Sequence, residues 1–254
     1  MLKVRIIPCL LLRDESLVKT VQFKKFGYIG DPANTCRIFN ELEVDELAFL
    51  DITASREKRK PNYKILQEIA DECFMPLSYG GGIRNLQEAE RIFNIGFEKV
   101  VLNTYPFENP GIITTLANAF GSQSVIVAID VKKSVWGKYQ AYSLSGTVNQ
   151  KRNPVEWAKE VQDRGAGEIL LTAIDHEGTW KGFDIALTAQ IAGSVSIPVI
   201  ANGGAGAFRH IGEVVKSGHA SAVALGSMVV YQKQGMGVLI NFPDEKQLTS
   251  VIES

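Results

Sequence analysis

Three segments of the chain recur at one fixed spacing. Glu46-Leu-Ala-Phe-Leu50 matches Glu168-Ile-Leu-Leu-Thr172, Gly82 matches Gly204, and Gly96-Phe-Glu-Lys-Val-Val-Leu-Asn-Thr104 matches Gly218-His-Ala-Ser-Ala-Val-Ala-Leu-Gly226, each pair 122 residues apart. A single offset shared by three blocks marks a duplicated structural unit. The repeat includes an apolar run that ends in glycines, Pro76-Leu-Ser-Tyr-Gly-Gly-Gly-Ile83 in the first half and Pro198-Val-Ile-Ala-Asn-Gly-Gly-Ala-Gly206 in the second. Each reads as a buried strand opening into a tight turn.

Eight apolar runs follow one another along the chain, at Val4 to Leu12, Glu46 to Thr53, Met75 to Tyr79, Lys99 to Asn103, Val125 to Val131, Glu168 to Ile174, Ile197 to Ala201 and Ala220 to Leu225. They are continuous rather than alternating, as parallel strands covered on both faces are. Amphipathic stretches separate them. Asn85-Leu-Gln-Glu-Ala-Glu-Arg-Ile-Phe-Asn94 carries apolar positions at helical spacing, with Asn85 and Glu88 placed as an N-cap pair. Asn153-Pro-Val-Glu-Trp-Ala-Lys-Glu-Val-Gln162 starts a helix with Pro154 at its first position. Eight strand–helix units in 254 residues predict an α/β fold, a (β/α)8 TIM barrel forming a single domain over 1–254, with half-barrels of about 1–120 and 121–254. A doubly wound open sheet is the alternative, and no G-x-G-x-x-G fingerprint follows the first strand to support it. The Gly-containing tail from Gln234 is expected to close the last helix.

Bulk properties narrow the function. A net charge of −1 supplies no general basic field for nucleic acid or an anionic membrane. Cys9, Cys36 and Cys73 show no C-x-x-C spacing, and His176, His210 and His219 no ligand spacing, so neither a disulfide scaffold nor a metal site is expected. No cofactor is called for. Charges interrupt every apolar stretch before it reaches signal-peptide or membrane-spanning length, which predicts a cytoplasmic protein.

In such a barrel the chemistry sits at the C-terminal ends of the strands. The duplicated glycines Gly81, Gly82, Gly203 and Gly204, followed by Asn103-Thr104 and by Leu225-Gly226-Ser227, read as two phosphate sites built on backbone N–H groups. Two such sites at matching repeat positions predict a small-molecule ligand with a phosphate at each end.

The residues also carry a family resemblance. Arg5-Ile-Ile-Pro-Cys-Leu10, Gly30-Asp-Pro32, Asp45-Glu-Leu-Ala-Phe-Leu-Asp-Ile-Thr-Ala-Ser55, Glu57-Lys-Arg59, Gly80-Gly-Gly-Ile83, Phe120-Gly-Ser-Gln123, Ala128-Ile-Asp130, Arg164-Gly-Ala-Gly-Glu-Ile-Leu-Leu-Thr172 and Gly203-Gly-Ala-Gly206 resemble the cyclase (synthase) subunit of imidazole glycerol phosphate synthase, over nearly the whole chain to about residue 230. A sister isomerase of histidine biosynthesis shares the half-barrel repeat, and these blocks fit the cyclase better. The resemblance implies a lyase working with a separate glutaminase subunit docked at the N-terminal face of the barrel. Ammonia released there would cross the barrel and join a bisphosphorylated ribulosyl-formimino carboxamide ribotide. It further implies that Asp130 is catalytic, that Lys19 and Gly178 belong to the substrate set, and that Arg5, Glu46, Lys99 and Glu168 form a charged ammonia gate.

One position departs from the family. The expected aspartate at the end of the first strand is Leu11, which cannot transfer a proton; Asp14, three residues on, is the alternative acid. With the four gate charges kept and one acid missing, the resemblance implies an alternative role known among paralogues of the family: passing ammonia to a sugar-amidating enzyme of surface-polysaccharide (lipopolysaccharide) synthesis. Asp175-His-Glu177 reads as a loop rim rather than a catalytic cluster. Trp180 stands where a polar residue near phosphate would be usual, and Lys24-Lys25 and Lys132-Lys133 read as solvated pairs.

Overall fold

The computed structural model describes residues 4–252. In chain order the elements are β1 (Arg5–Arg13), β2 (Ser16–Val21), β3 (Lys25–Gly30), α1 (Pro32–Glu41), β4 (Leu47–Asp51), α2 (Tyr63–Asp71), β5 (Leu77–Gly80), α3 (Leu86–Ile95), β6 (Lys99–Leu102), α4 (Tyr105–Glu108) and α5 (Gly111–Phe120). The second half continues with β7 (Val125–Lys133), β8 (Tyr139–Ser143), β9 (Val148–Asn149), α6 (Pro154–Asp163), β10 (Glu168–Ala173), α7 (Ile185–Ala192), β11 (Val199–Asn202), α8 (Phe208–Lys216), β12 (Ala222–Leu225), α9 (Ser227–Val230) and α10 (Glu245–Ile252).

Strands β1, β4, β5, β6, β7, β10, β11 and β12 pair in parallel, each with the next, and β12 returns to β1. The result is the closed (β/α)8 barrel read from the sequence. Each predicted strand is present within a few residues of its expected bounds. The antiparallel strands β2, β3, β8 and β9 were not anticipated. They extend β1 and β7 beyond the barrel rim as hairpins; Lys19 in β2, the exposed start of β3 and the polar residues of β8 and β9 deny them the continuous apolar signature of a covered strand.

Capping fixes where the helices begin. Asn85 accepts from Glu88 N at 2.9 Å while the Glu88 carboxylate accepts from Arg84 N at 2.8 Å, and Asn153 accepts from Val155 N at 2.8 Å with Pro154 opening α6. The tail forms a bridge between Tyr231 and Val238 and then α10, which lies so close to α8 that a Cβ at Gly212 would stand 2.2 Å from the Val251 carbonyl oxygen.

Two apolar layers form the core. The larger lies between sheet and helices, with Phe39, Phe49, Trp157 and Ile191 among its residues. The smaller fills the barrel itself: Ile7, Cys9, Ala48, Val101, Ile126, Ala128, Leu170, Ile200, Ala222 and Ala224. Residues two apart on a strand share a face, so Arg5, Ile7, Cys9 and Leu11 run up the inside of β1, and Glu168, Leu170 and Thr172 up β10. Charge at the bottom, apolar residues in the middle and polar groups at the top are therefore written into the alternation.

Candidate active site

A cavity opens at the C-terminal ends of the strands. Asp130, Leu11, Lys19, Gly81, Gly82, Asn103, Thr104, Gly178, Gly203, Gly204, Gly226 and Ser227 all line it. Of the expected substrate residues only Leu225 does not. Its side chain is fully buried in the layer between sheet and helices, because its strand parity turns it away from the barrel axis.

Asp130 projects inward near the end of β7 and is 9% exposed. Its carboxylate accepts from Asn103 Nδ2 at 3.2 Å and is hydrogen-bonded to Thr172. Burial pushes its pKa up to about 7; the Thr172 bond opposes this, the charge of Glu177 adds to it, and the Asn103 bond opposes it. Both protonation states are thus accessible near neutral pH.

Leu11 faces the same cavity and pairs with Leu50 of β4 and Val18 of β2. Asp14 stands away from the cavity. It forms the β1–β2 turn with Glu15, has φ 56°, and its side chain is 71% exposed beside Arg13, 4.0 Å away. Asp14 is not part of the cavity lining.

The loop after β10 divides differently from the expected rim. Asp175 accepts from Lys133 N at 2.9 Å and His176 Nδ1 lies 2.7 Å from the Gly182 carbonyl, both outside the lining. Glu177, in contrast, is 4% exposed, lines the cavity and forms an ion pair with Lys19. Its carboxylate also accepts from Phe23 N at 3.2 Å, and its carbonyl accepts from Gln22 N at 2.9 Å. The signal that could have found Glu177 is Lys19 itself, since a buried ammonium requires an opposite charge within reach. Trp180 is half-buried and outside the lining; its carbonyl would stand 2.3 Å from a Cβ at Gly206.

The duplicated glycines have matching surroundings. Gly82 has φ 71°, and a Cβ there would meet the Arg59 carbonyl oxygen at 2.5 Å; Gly204 has φ 114°, and a Cβ there would meet the Gly182 carbonyl oxygen at 2.1 Å. No larger residue fits either turn. Asn103-Thr104 leads into α4 and Gly226-Ser227 into α9 at equivalent positions of the two halves. The Lys19 stem crosses the second of these, with Cε 2.7 Å from where a Gly226 Cβ would be.

At the opposite end of the barrel four charges close into a ring. Arg5 bonds Glu46 at 2.7 Å and Glu168 at 2.8 Å, and Lys99 bonds Glu46 at 3.2 Å and Glu168 at 3.0 Å. Each cation bridges both anions, so every charge has two partners. From Arg5 to Leu11 is about 20 Å along a strand at ~3.3 Å per residue. The interval is apolar, filled by Ile7, Val101, Ile126, Leu170 and Ile200 together with the smaller Cys9, Ala48, Ala128, Ala222 and Ala224.

Comparison with known proteins fits this arrangement. The histidine biosynthesis protein family matches residues 5–235. The chain belongs to this family. Within it, the chain is 43% identical over 238 residues to imidazole glycerol phosphate synthase subunit HisF of Caulobacter vibrioides, covering 93% of this chain and 92% of that protein. It is 50% identical over 248 residues to a Pseudomonas aeruginosa protein provisionally named as subunit hisF2 of that enzyme, covering 98% and 99%. It is 44% identical over 254 residues to one provisionally named hisF3 in Vibrio vulnificus, covering 100% and 98%. As a member of the histidine biosynthesis protein family the chain is a HisF-type barrel over nearly its full length. No helix among its described residues is long and apolar enough to cross a membrane.

Proposed function

We propose that this cytoplasmic chain is the ammonia-accepting synthase subunit of an imidazole glycerol phosphate synthase-type glutamine amidotransferase. A glutaminase subunit docks at the N-terminal face, ammonia passes the ring of Arg5, Glu46, Lys99 and Glu168, and ring closure of a bisphosphorylated ribulosyl-formimino carboxamide ribotide takes place at the top. The observation that carries the reading is the placement of Asp130 between the two glycine-ended strand pairs, in one cavity at the opposite end of the apolar barrel interior from the charged ring.

The chemistry needs groups that give and take protons. Asp130, with its pKa near 7, is suited to either task, because a catalytic pKa close to the working pH keeps both forms populated. Glu177 places a second carboxylate in the cavity where Leu11 supplies none. Lys19 and the backbone N–H groups around Gly81, Gly82, Gly203 and Gly204 offer positive potential to a phosphate at each end of the substrate. Turnover of the histidine-pathway ribotide with ammonium salt, lost in Asp130→Asn, tests the proposal.

One observation favours a second reading. Leu11 presents an apolar side chain to the cavity and Asp14 is turned out to solvent, which also suits a barrel that relays ammonia to a sugar-amidating enzyme without closing a ring. Stimulation of a glutaminase partner by a chain unable to convert the ribotide would select that role.

A further inference from the structure

Cys36 and Cys73 are distant in sequence and meet in the fold. Cys36 lies on α1 and is fully buried, and Cys73 follows the end of α2 and is half-buried. Cys73 Sγ donates to the Met75 carbonyl at 3.4 Å, and the two thiols are near enough for each to shift the ionisation of the other. We propose that Cys36 and Cys73 are a thiol modification site that closes to a reversible disulfide, clamping α1 to the α2–β5 connection.

The surrounding contacts hold the two segments in place for that bond. Arg37 grips the Glu72 carboxylate with two bonds of 3.0 and 2.9 Å, Asn40 Nδ2 donates to the Glu72 carbonyl, and Phe74 N donates to Asn40 Oδ1 at 3.2 Å. Residues 37 and 40 thus flank Cys36 on one helix and fasten residues 72 and 74, which flank Cys73.

The two thiols have different parts in the chemistry. The neighbouring Cys36 thiol holds Cys73 below the ordinary thiol range, against burial, whereas Cys73 and burial push Cys36 up. Cys73, the accessible one, is therefore the attacking thiolate. With a small organic disulfide such as oxidised glutathione, the Cys73 sulfur displaces one glutathione thiolate and forms a mixed disulfide. Cys36 then gives up its proton and displaces the second, so one glutathione disulfide becomes two thiols and the chain gains one disulfide. Cys9 does not compete: it is buried inside the barrel and its thiol is pushed up to about 12 by burial.

The connection carries Phe74, 92% exposed, at the N-terminal end of β5 and so at the same end of the barrel as the charged ring. The clamp would fix the position of this aromatic in the oxidised chain. The disulfide itself does not depend on the activity proposed above.

The test is to treat the folded chain with oxidised glutathione and to map peptides by mass without reduction. The expected result is loss of two hydrogens, with Cys36 and Cys73 in one linked peptide and Cys9 free, reversed by dithiothreitol. The Cys36→Ser variant should stop at a glutathione adduct on Cys73, and Cys73→Ser should leave Cys36 unmodified. A wild-type chain that halts at the Cys73 adduct, that does not react, or that forms the link only after denaturation overturns the proposal.

Discussion

Lys19 reaches from the β2 strand of the rim hairpin to the buried carboxylate of Glu177 on the far side of the barrel mouth. This pair joins the first and second halves of the chain above the cavity, with backbone bonds from Gln22 and Phe23 to Glu177 beside it. In Glu177→Gln the ammonium would be left buried without its counter-charge, a loss of about 3–5 kcal/mol for a fully enclosed pair. The hairpin should then open, seen as faster hydrogen exchange over residues 16–30 with the barrel strands still protected.

Asp130 makes stability depend on pH in a defined direction. Its folded pKa of about 7 lies above the ordinary 3.8. Between those values the folded chain holds a proton that the unfolded chain has released, so stability falls as pH rises through the window. A difference of about three pH units corresponds to roughly 4 kcal/mol. Asp130→Asn removes the penalty of a buried carboxylate and should raise the unfolding temperature relative to the parent at pH 8 but not at pH 4. Equal shifts at both values would mean that the carboxylate is not held near neutrality.

Leu11→Asp restores a carboxyl to the strand end facing Asp130. Aspartate has the same branching and number of heavy atoms as leucine, and position 11 already lines the cavity. A positioned acid contributes about 10²–10⁴-fold to such steps, so the variant should exceed the parent in ammonium-dependent ring closure by tenfold or more. Equal rates would assign the proton work to Asp130 and Glu177 alone.

Lys99→Ala removes one bridge of the four-charge ring while Arg5 keeps its bonds to both glutamates. The reacting groups are remote from the ring, so turnover with ammonium salt should stay within about twofold of the parent. With glutamine and the glutaminase subunit, more glutamine should be hydrolysed per product formed, because the entrance no longer closes. Unchanged coupling would remove the ring from the ammonia path.

The barrel was legible because covered parallel strands write themselves as continuous apolar runs, and because a repeat of 122 residues fixes their order. Asp130, the glycines and the bottom ring followed from strand ends and strand starts, where one residue's parity decides what it faces. Leu225, one residue before Gly226, turns its side chain away from the barrel axis by that same parity. The hairpins β2–β3 and β8–β9 were missed since Lys19 interrupts the apolar run of β2, β3 is exposed over its first four residues, and β8 and β9 are short and polar. Glu177 was missed with them, because its burial is created by the hairpin that folds across it. Cys36 and Cys73 lie too far apart in sequence for any spacing rule to pair them.

The most direct measurement is turnover of the bisphosphorylated histidine-pathway ribotide by the purified chain with ammonium salt as the nitrogen source. The account predicts imidazole glycerol phosphate as product, with a rate that falls at least 100-fold in Asp130→Asn. No product from the parent chain, together with stimulation of a glutaminase partner, would contradict ring closure and leave the barrel as a carrier of ammonia.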